Sequence, residues 1–376
     1  MGLSSRTTAI IVLFLVFFGG IALILSLPRT GEESENTLEN GVTHIQISDG
    51  EGDNGVSEFE NEDLGPGYYT LFSLNVHDWT HPHESVATVE RVLDIHEEYG
   101  VPVDIYFTDP LFRMTFEKNP ELIERLKNSS VATVAYHIRP PVPYYPNFDW
   151  FGLNALSDDE LYTILYAYET HALDLETGMY TEEPGGYAYV KDVMGYAPPS
   201  VGILPGGRIG DVLGRVYADL GDTFAVTHSQ DHVVLGKKVG STGLYYRPED
   251  EDVKIYEEAR RTQDGGAVLE AYLTEDSPEE PIFLGVKYHD DNFFTIGGTP
   301  WWMVYFSSTE VEKRDGTIVP RVPPFPLDEM SSVGRLQTEE ESAQDWELYE
   351  SALKYVAEHP EKITPMNLFM LQDVLF

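Results

Sequence analysis

The sequence predicts an α/β chain: a (β/α) barrel of parallel strands carried behind an N-terminal transmembrane helix. Three observations predict it. From Tyr68 onward, short apolar runs of strand character alternate with amphipathic segments of helical period. Regular alternation of this kind gives a parallel sheet covered by helices, over a span that suits one barrel better than two small domains. Ahead of it, Ala9–Leu27 is nineteen residues without a charge. At roughly 1.5 Å per residue that is about 28 Å of helix, close to the hydrocarbon thickness of a bilayer.

Residues 1–28 are read as a retained membrane anchor. A signal-peptide apolar region is shorter, and no clean A-x-A site follows. Arg6 and the α-amino group place the N-terminus in the cytoplasm and the body outside it. Residues 29–67 set eleven acids against Arg29 alone, with too little apolar surface to order themselves, and read as a flexible tether.

The barrel is expected over 68–296. Tyr68–Val76 reads as a buried strand, and Ser85–Tyr99 as a helix with Val86, Val89, Leu93 and His96 on one stripe. Val101–Phe107 is the next strand. Asn119 caps a helix with Pro120 at its first position. Val131–Tyr136 is the third strand. Ser157–Glu160 is a capping box opening a helix with Leu161, Ile164, Leu165, Tyr168 and Leu175 inward. Further strands are expected at Val201–Leu204, Thr223–Thr227 and Pro281–Tyr288, with a helix near Asp211–Leu220 between the first two. Residues 297–376 are expected to complete the barrel domain, with a second capping box at Thr338–Glu341 opening a helix to about His359.

Composition narrows the chemistry. The formal net charge is −40 and there is no cysteine. The first excludes a nucleic-acid binder, which needs a lysine and arginine footprint. The second excludes disulfides, thiolate nucleophiles and cysteine-held metals. Hydrophobic content of 42% with 12% aromatics supports a real core. Only ten of the 24 basic residues are lysine. That balance fits either adaptation to high salt or a merely acidic surface.

In parallel α/β folds functional side chains gather at the carboxyl ends of strands. Three strands here end in histidine or carboxylate: at His77–Asp78, at His137, and at His289–Asp290–Asp291. Histidine and aspartate are what zinc takes when thiolates are absent, and what acid–base chemistry near neutral pH uses. Three such ends in one barrel point to a shared site.

Over residues 68–295 the succession resembles the NodB-type polysaccharide deacetylases (carbohydrate esterase family four). The residues that carry the resemblance are the strand ending His77–Asp78, "EEYGVPVDIYF", "NPELIERL", "VAYH", "LDLETG" and "GVKYHD". It implies a distorted barrel of the seven-stranded type shared with related glycoside hydrolases. It implies His77 as catalytic base, Asp78 and His137 as ligands of a divalent metal such as zinc, and His289 as general acid. Pro141 stands where a second metal histidine is expected, and the arginine motif is not found. His81, His83, Asp290 and Asp291 are the replacement ligands within reach.

The function so implied is metal-assisted removal of N-acetyl groups from a carbohydrate by a membrane-anchored hydrolase, with a neutral or amine-bearing sugar favoured by the acidic body. Two alternatives stay open. One is a non-catalytic carbohydrate-binding or surface protein on a degenerate deacetylase fold. The other is a glycoside hydrolase using Asp78 with Asp290 or Asp291. Tyr144, Tyr145, Trp150, Trp79, Trp301 and Trp302 are the aromatic residues placed to stack on sugar rings.

Overall fold

Parity along the strands decides which side chains meet. In strand β1 (Gly67–Val76), Phe72, Leu74 and Val76 join one apolar cluster with Val89 and Leu93 of helix α1 (Pro82–Tyr99). The intervening Tyr69 and Leu71 join a second, smaller cluster. Successive side chains of a strand point to opposite faces, so β1 has a helix-facing side and an inner side. The same division holds in β2 (Val103–Phe107), β3 (Ala132–His137) and β10 (Pro281–His289), whose inner residues include Tyr106, Ala135 and Phe283.

Glu58–Phe376 forms one compact unit. The computed structural model describes residues 64–78, 81–139, 152–174, 180–227, 233–255, 264–275, 278–296, 310–312, 318–320 and 335–376. The expected anchor and nearly all of the tether lie outside the described residues. Among the described residues no helix is long and apolar enough to cross a membrane.

After β1 and β2 come α2 (Asp109–Lys118), α3 (Pro120–Asn128), β3 and α4 (Asp158–Thr170). A hairpin of β4 (His171–Leu173) and β5 (Tyr180–Pro184) precedes α5 (Gly186–Met194), β6 (Ser200–Leu204), α6 (Gly207–Leu220) and β7 (Phe224–Thr227). Then follow β8 (Tyr245–Tyr246), β9 (Glu251–Val253), α7 (Gly265–Tyr272) and β10. Two small antiparallel pairs come next, β11 (Thr295–Ile296) with β14 (Arg335–Leu336) and β12 (Glu310–Glu312) with β13 (Ile318–Pro320). The last elements are α8 (Glu339–Glu358), β15 (Ile363–Met366) and α9 (Leu368–Leu375).

Among the described residues the main sheet has nine strands in the order β8-β7-β6-β3-β2-β1-β10-β9, with β15 also paired to β1. Every ladder in it is parallel. This is the parallel α/β sheet expected of a (β/α) barrel, left open among the described residues: no ladder there joins β8 to β9.

Both capping boxes form, at Ser157 with Glu160 and at Thr338 with Glu341, and Asn119 accepts from the Leu122 amide as the cap of α3. The helix behind Ser157 ends sooner than its apolar period suggests. It stops at Thr170, and His171 begins a strand; Leu175 lies outside the described residues. The cause is the backbone of Gly185–Gly186, which lies so close to the helix end that a Cβ on Gly185 would fall 2.2 Å from the Ala172 backbone. Pairing of His171 with Pro184 then replaces the next helical turn. Sequence reading also leaves out β15 and α9. These pack Leu368, Leu371 and Leu375 against the inner face of the sheet.

Candidate metal-assisted active site

Inner-face parity carries three histidines to one place. His77 follows β1 in step with Tyr69 and Leu71, His137 ends β3 in step with Ala135, and His289 ends β10 in step with Phe283. Their rings meet: His77 lies 5.1 Å from His137 and 4.9 Å from His289, centroid to centroid. β1 and β10 are adjacent and in register from Gly67–Pro281 to Asn75–His289, so two of the three stand on one rigid strand pair.

The Nδ1 atom of His137 is 2.8 Å from the Ile138 carbonyl oxygen. A carbonyl only accepts, so Nδ1 carries the proton and the neutral ring keeps its lone pair on Nε2. Burial, then the neighbouring His137 and His289 rings, holds the His77 imidazole well below its usual pKa. Burial, then Lys287 and His137, takes His289 down to about 3. Both rings are therefore neutral at physiological pH, the form in which an imidazole ligates a metal or accepts a proton.

The carboxylates at these ends take different roles. Asp290 is fully buried, and its Oδ2 accepts from the amides of His77 (3.3 Å) and Asp78 (3.2 Å). Its Oδ1 accepts from the Asp291 amide at 3.0 Å. Burial, Asp291 and Asp78 push the Asp290 carboxyl well above the usual carboxylate range. The 4.0 Å approach of His77 Nε2 to Asp290 Oδ1 is thus a contact of two neutral groups rather than an ion pair.

Asp78, also fully buried, has Oδ2 at 2.8 Å from Nδ1 of His81. Hydrogen bonding to Asp78 raises the His81 pKa against the opposing effect of burial. Asp291 reaches the histidines. Donor atoms of His77, His289 and Asp291 all lie within 4.8 Å of one another.

Ligands around a zinc-type ion at about 2.0–2.2 Å stand roughly 3–4 Å apart, so small side-chain rotations suffice to close this set on a cation. The residues fit a metal of the borderline class: two neutral imidazoles and a carboxylate, with no thiolate in the chain.

The structure thus gathers His77, His137, His289 and Asp291, with Asp78, Asp290 and His81 at their edges. His83, expected as a replacement ligand, is exposed in the first turn of α1 and stands outside the cluster. Asp290, another such candidate, spends its oxygens on backbone amides instead. Pro141 and the aromatic residues at 79, 144, 145, 150, 301 and 302 lie outside the described residues.

Two supports were not evident from sequence. Gly202 on β6 backs the His137 ring: a Cβ there would stand 3.3 Å from the Tyr106 ring and 3.7 Å from His137 Cδ2. Arg139, two residues past His137 and 1% exposed, pairs with Asp109 at 2.7 Å and donates to the His171 carbonyl at 2.6 Å. Asp109 in turn accepts from the Gly186 amide at 3.0 Å. This buried knot ties the end of β3 to α2 and to the β4–β5 hairpin.

No protein-family model and no curated protein matches the sequence. The solved structures to which the chain is similar include peptidoglycan and polysaccharide deacetylases and a mutant of a CE4 family pseudoenzyme. One is peptidoglycan deacetylase PdaC from Bacillus subtilis, at 12% identity and TM-score 0.34, over 84% of this chain and 93% of that one. Others are Puue allantoinase (11%, TM-score 0.43, 82% and 90%) and 4-alpha-glucanotransferase from Thermococcus litoralis (11%, TM-score 0.43, 82% and 40%). At these values the likenesses assign no activity to this chain.

Proposed function

We propose that the chain is a metal-assisted hydrolase of the polysaccharide-deacetylase kind. It removes N-acetyl groups from a carbohydrate outside the cytoplasm, held to the membrane by its N-terminal helix. The observation that carries this reading is the meeting of three imidazoles, those of His77 and His137 buried and that of His289 half-buried, with a carboxylate at three parallel strand ends. The donors that would hold a zinc-type cation stand among His77, His137, His289, Asp78 and Asp291. Such a cation polarises an amide carbonyl and makes water a usable nucleophile near neutral pH.

The chain's own residues supply the rest. Burial keeps His77 and His289 neutral, so protons do not compete with a cation for their ring nitrogens. The Ile138 carbonyl fixes the tautomer of His137 and presents Nε2 as the acceptor. Asp290 locks the backbone of His77 and Asp78 to the turn after β10, which holds the two strand ends at a fixed spacing.

The glycoside-hydrolase alternative needs two carboxyl groups about 5–10 Å apart across an open groove. Asp78, common to both candidate pairs, is shut from solvent, as is Asp290, whose Oδ2 is committed to the amides of His77 and Asp78, which disfavours that reading. The test is release of acetate from N-acetylglucosamine oligomers by the zinc-loaded protein. Release that stops on chelation and returns with zinc supports the proposal. Zinc-loaded protein that binds the oligomers and releases no acetate favours the non-catalytic alternative.

A further inference from the structure

We infer that the cation centre of this chain is a two-histidine, one-carboxylate site made by His77, His289 and Asp291, and that Asp78 and His137 stand outside it. The inference rests on the metal-assisted reading and departs from the ligand set implied by the resemblance to the deacetylases.

Three observations carry it. First, the mutual 4.8 Å reach of donor atoms, sought among the described residues, is met by His77, His289 and Asp291. His77 and His289 come from adjacent strands in continuous register, and Asp291 from the 3-10 turn Asp290–Phe293 that follows directly. A ligand set on one strand pair and its turn is held more rigidly than one drawn from separate loops.

Second, Asp78 is engaged at the start of α1. Its Oδ2 meets His81 Nδ1 at 2.8 Å, and its own carbonyl accepts from Ser85 Oγ at 3.1 Å, both at the start of α1. Asp78 thereby fastens the helix to the strand end. Third, the His137 ring stands 5.1 Å from that of His77, and its Nδ1 is tied to the carbonyl of Ile138, outside the set of mutually close donors. That is where an imidazole supports a ligand or meets a substrate.

Two imidazoles and one carboxylate are the donors of catalytic zinc and of related borderline ions, and leave coordination positions open for water or substrate. The assignment has a chemical consequence. His77 and His289 occupy the places where the resemblance puts the base and the acid, and a residue whose lone pair is bound to a metal serves as neither.

The experiment uses the full chain in detergent, stripped of metal by chelation. Zinc is titrated by calorimetry, and cobalt(II) by its visible absorption. The variants are Asp291→Asn, His289→Gln, Asp78→Asn and His137→Gln, each checked by circular dichroism and thermal unfolding. Asp291→Asn and His289→Gln are expected to weaken zinc binding at least ~10-fold and to change the cobalt spectrum. Asp78→Asn and His137→Gln are expected to stay within ~3-fold of wild type with the spectrum unchanged, well inside the ~10–100-fold that even outer-shell partners can cost.

If Asp291→Asn unfolds, His289→Gln and the two outer variants decide. Tight binding that survives Asp291→Asn and His289→Gln but is lost in Asp78→Asn and His137→Gln overturns this inference alone. Equal loss in all four overturns it too. A wild-type chain that takes up neither zinc nor cobalt overturns the metal-assisted reading itself.

Discussion

Asp290 holds the backbone of His77: its Oδ2 accepts the His77 amide at 3.3 Å and, with it, the Asp78 amide at 3.2 Å. A side chain on one strand end thus fixes the main chain of its neighbour. Asn at 290 keeps a neutral oxygen acceptor of the same shape, which the raised carboxyl already resembles. Asp290→Ala strands three buried amides. Asp290→Ala is expected to cost about 2–4 kcal/mol in denaturant unfolding, and Asp290→Asn less than half of that. Equal losses in the two variants would show that the acceptor is not what matters.

The buried Arg139–Asp109 pair makes a second prediction. Removing one partner leaves an uncompensated buried charge, so Arg139→Ala should lose about 3–5 kcal/mol. The double variant Arg139→Ala/Asp109→Ala should lose clearly less than the two single losses added together. Additive losses in urea melts would contradict the coupling seen at 2.7 Å.

Asp104 predicts a pH dependence. It lies fully buried on the inner face, where Oδ1 accepts the Leu368 amide at 3.0 Å, and burial raises its pKa from 3.8 to about 7. The folded chain keeps this proton where the unfolded chain releases it. Its contribution is therefore present in full below about pH 4 and is lost as pH rises to about 7. Over that window Asp104→Asn should flatten the fall in stability by a few kcal/mol, on the order of 1.4 kcal/mol for each step of one in pH. A stability–pH curve identical to wild type would remove Asp104 from the account.

Gly202 predicts a steric effect on the site. Alanine there meets the Tyr106 ring at 3.3 Å and His137 at 3.7 Å, a fit that small shifts absorb. Valine forces the His137 ring outward. Displacements near 1 Å cost on the order of 100-fold in rate, so Gly202→Val should lose at least ~10-fold in acetate release while Gly202→Ala stays near wild type. Full activity in the valine variant, with normal thermal unfolding, would separate His137 from the reaction.

Much of this was legible in the chain. Strands such as Tyr68–Val76 announce themselves as unbroken apolar runs, and the capping residues Ser157, Asn119 and Thr338 mark helix starts by local chemistry alone. The three histidines were legible because position at a strand end is a local property. Which carboxylate would face them was not. Asp290 and Asp291 are adjacent and chemically alike, and the turn Asp290–Phe293 sends one to the backbone and the other to the His77 and His289 donors. Nor was β15 legible. It is four residues long, contains Pro365, and pairs with Tyr68–Leu71 almost three hundred positions earlier, a contact that no local pattern encodes.

That distant pairing bears on how the chain is made. The upper half of β1 is covered by β2, which is synthesised soon afterwards, but its lower half waits for Ile363–Met366. Until residues 363–375 leave the ribosome, Tyr68–Leu71 offers an unpaired strand edge, and the inner face lacks the leucines of α9. Closing so long a loop is slow and comes late. The site at the other end of β1 is thus assembled on a strand whose foundation is set last, and a nascent chain stalled before residue 363 has every metal donor and an unfinished sheet beneath them.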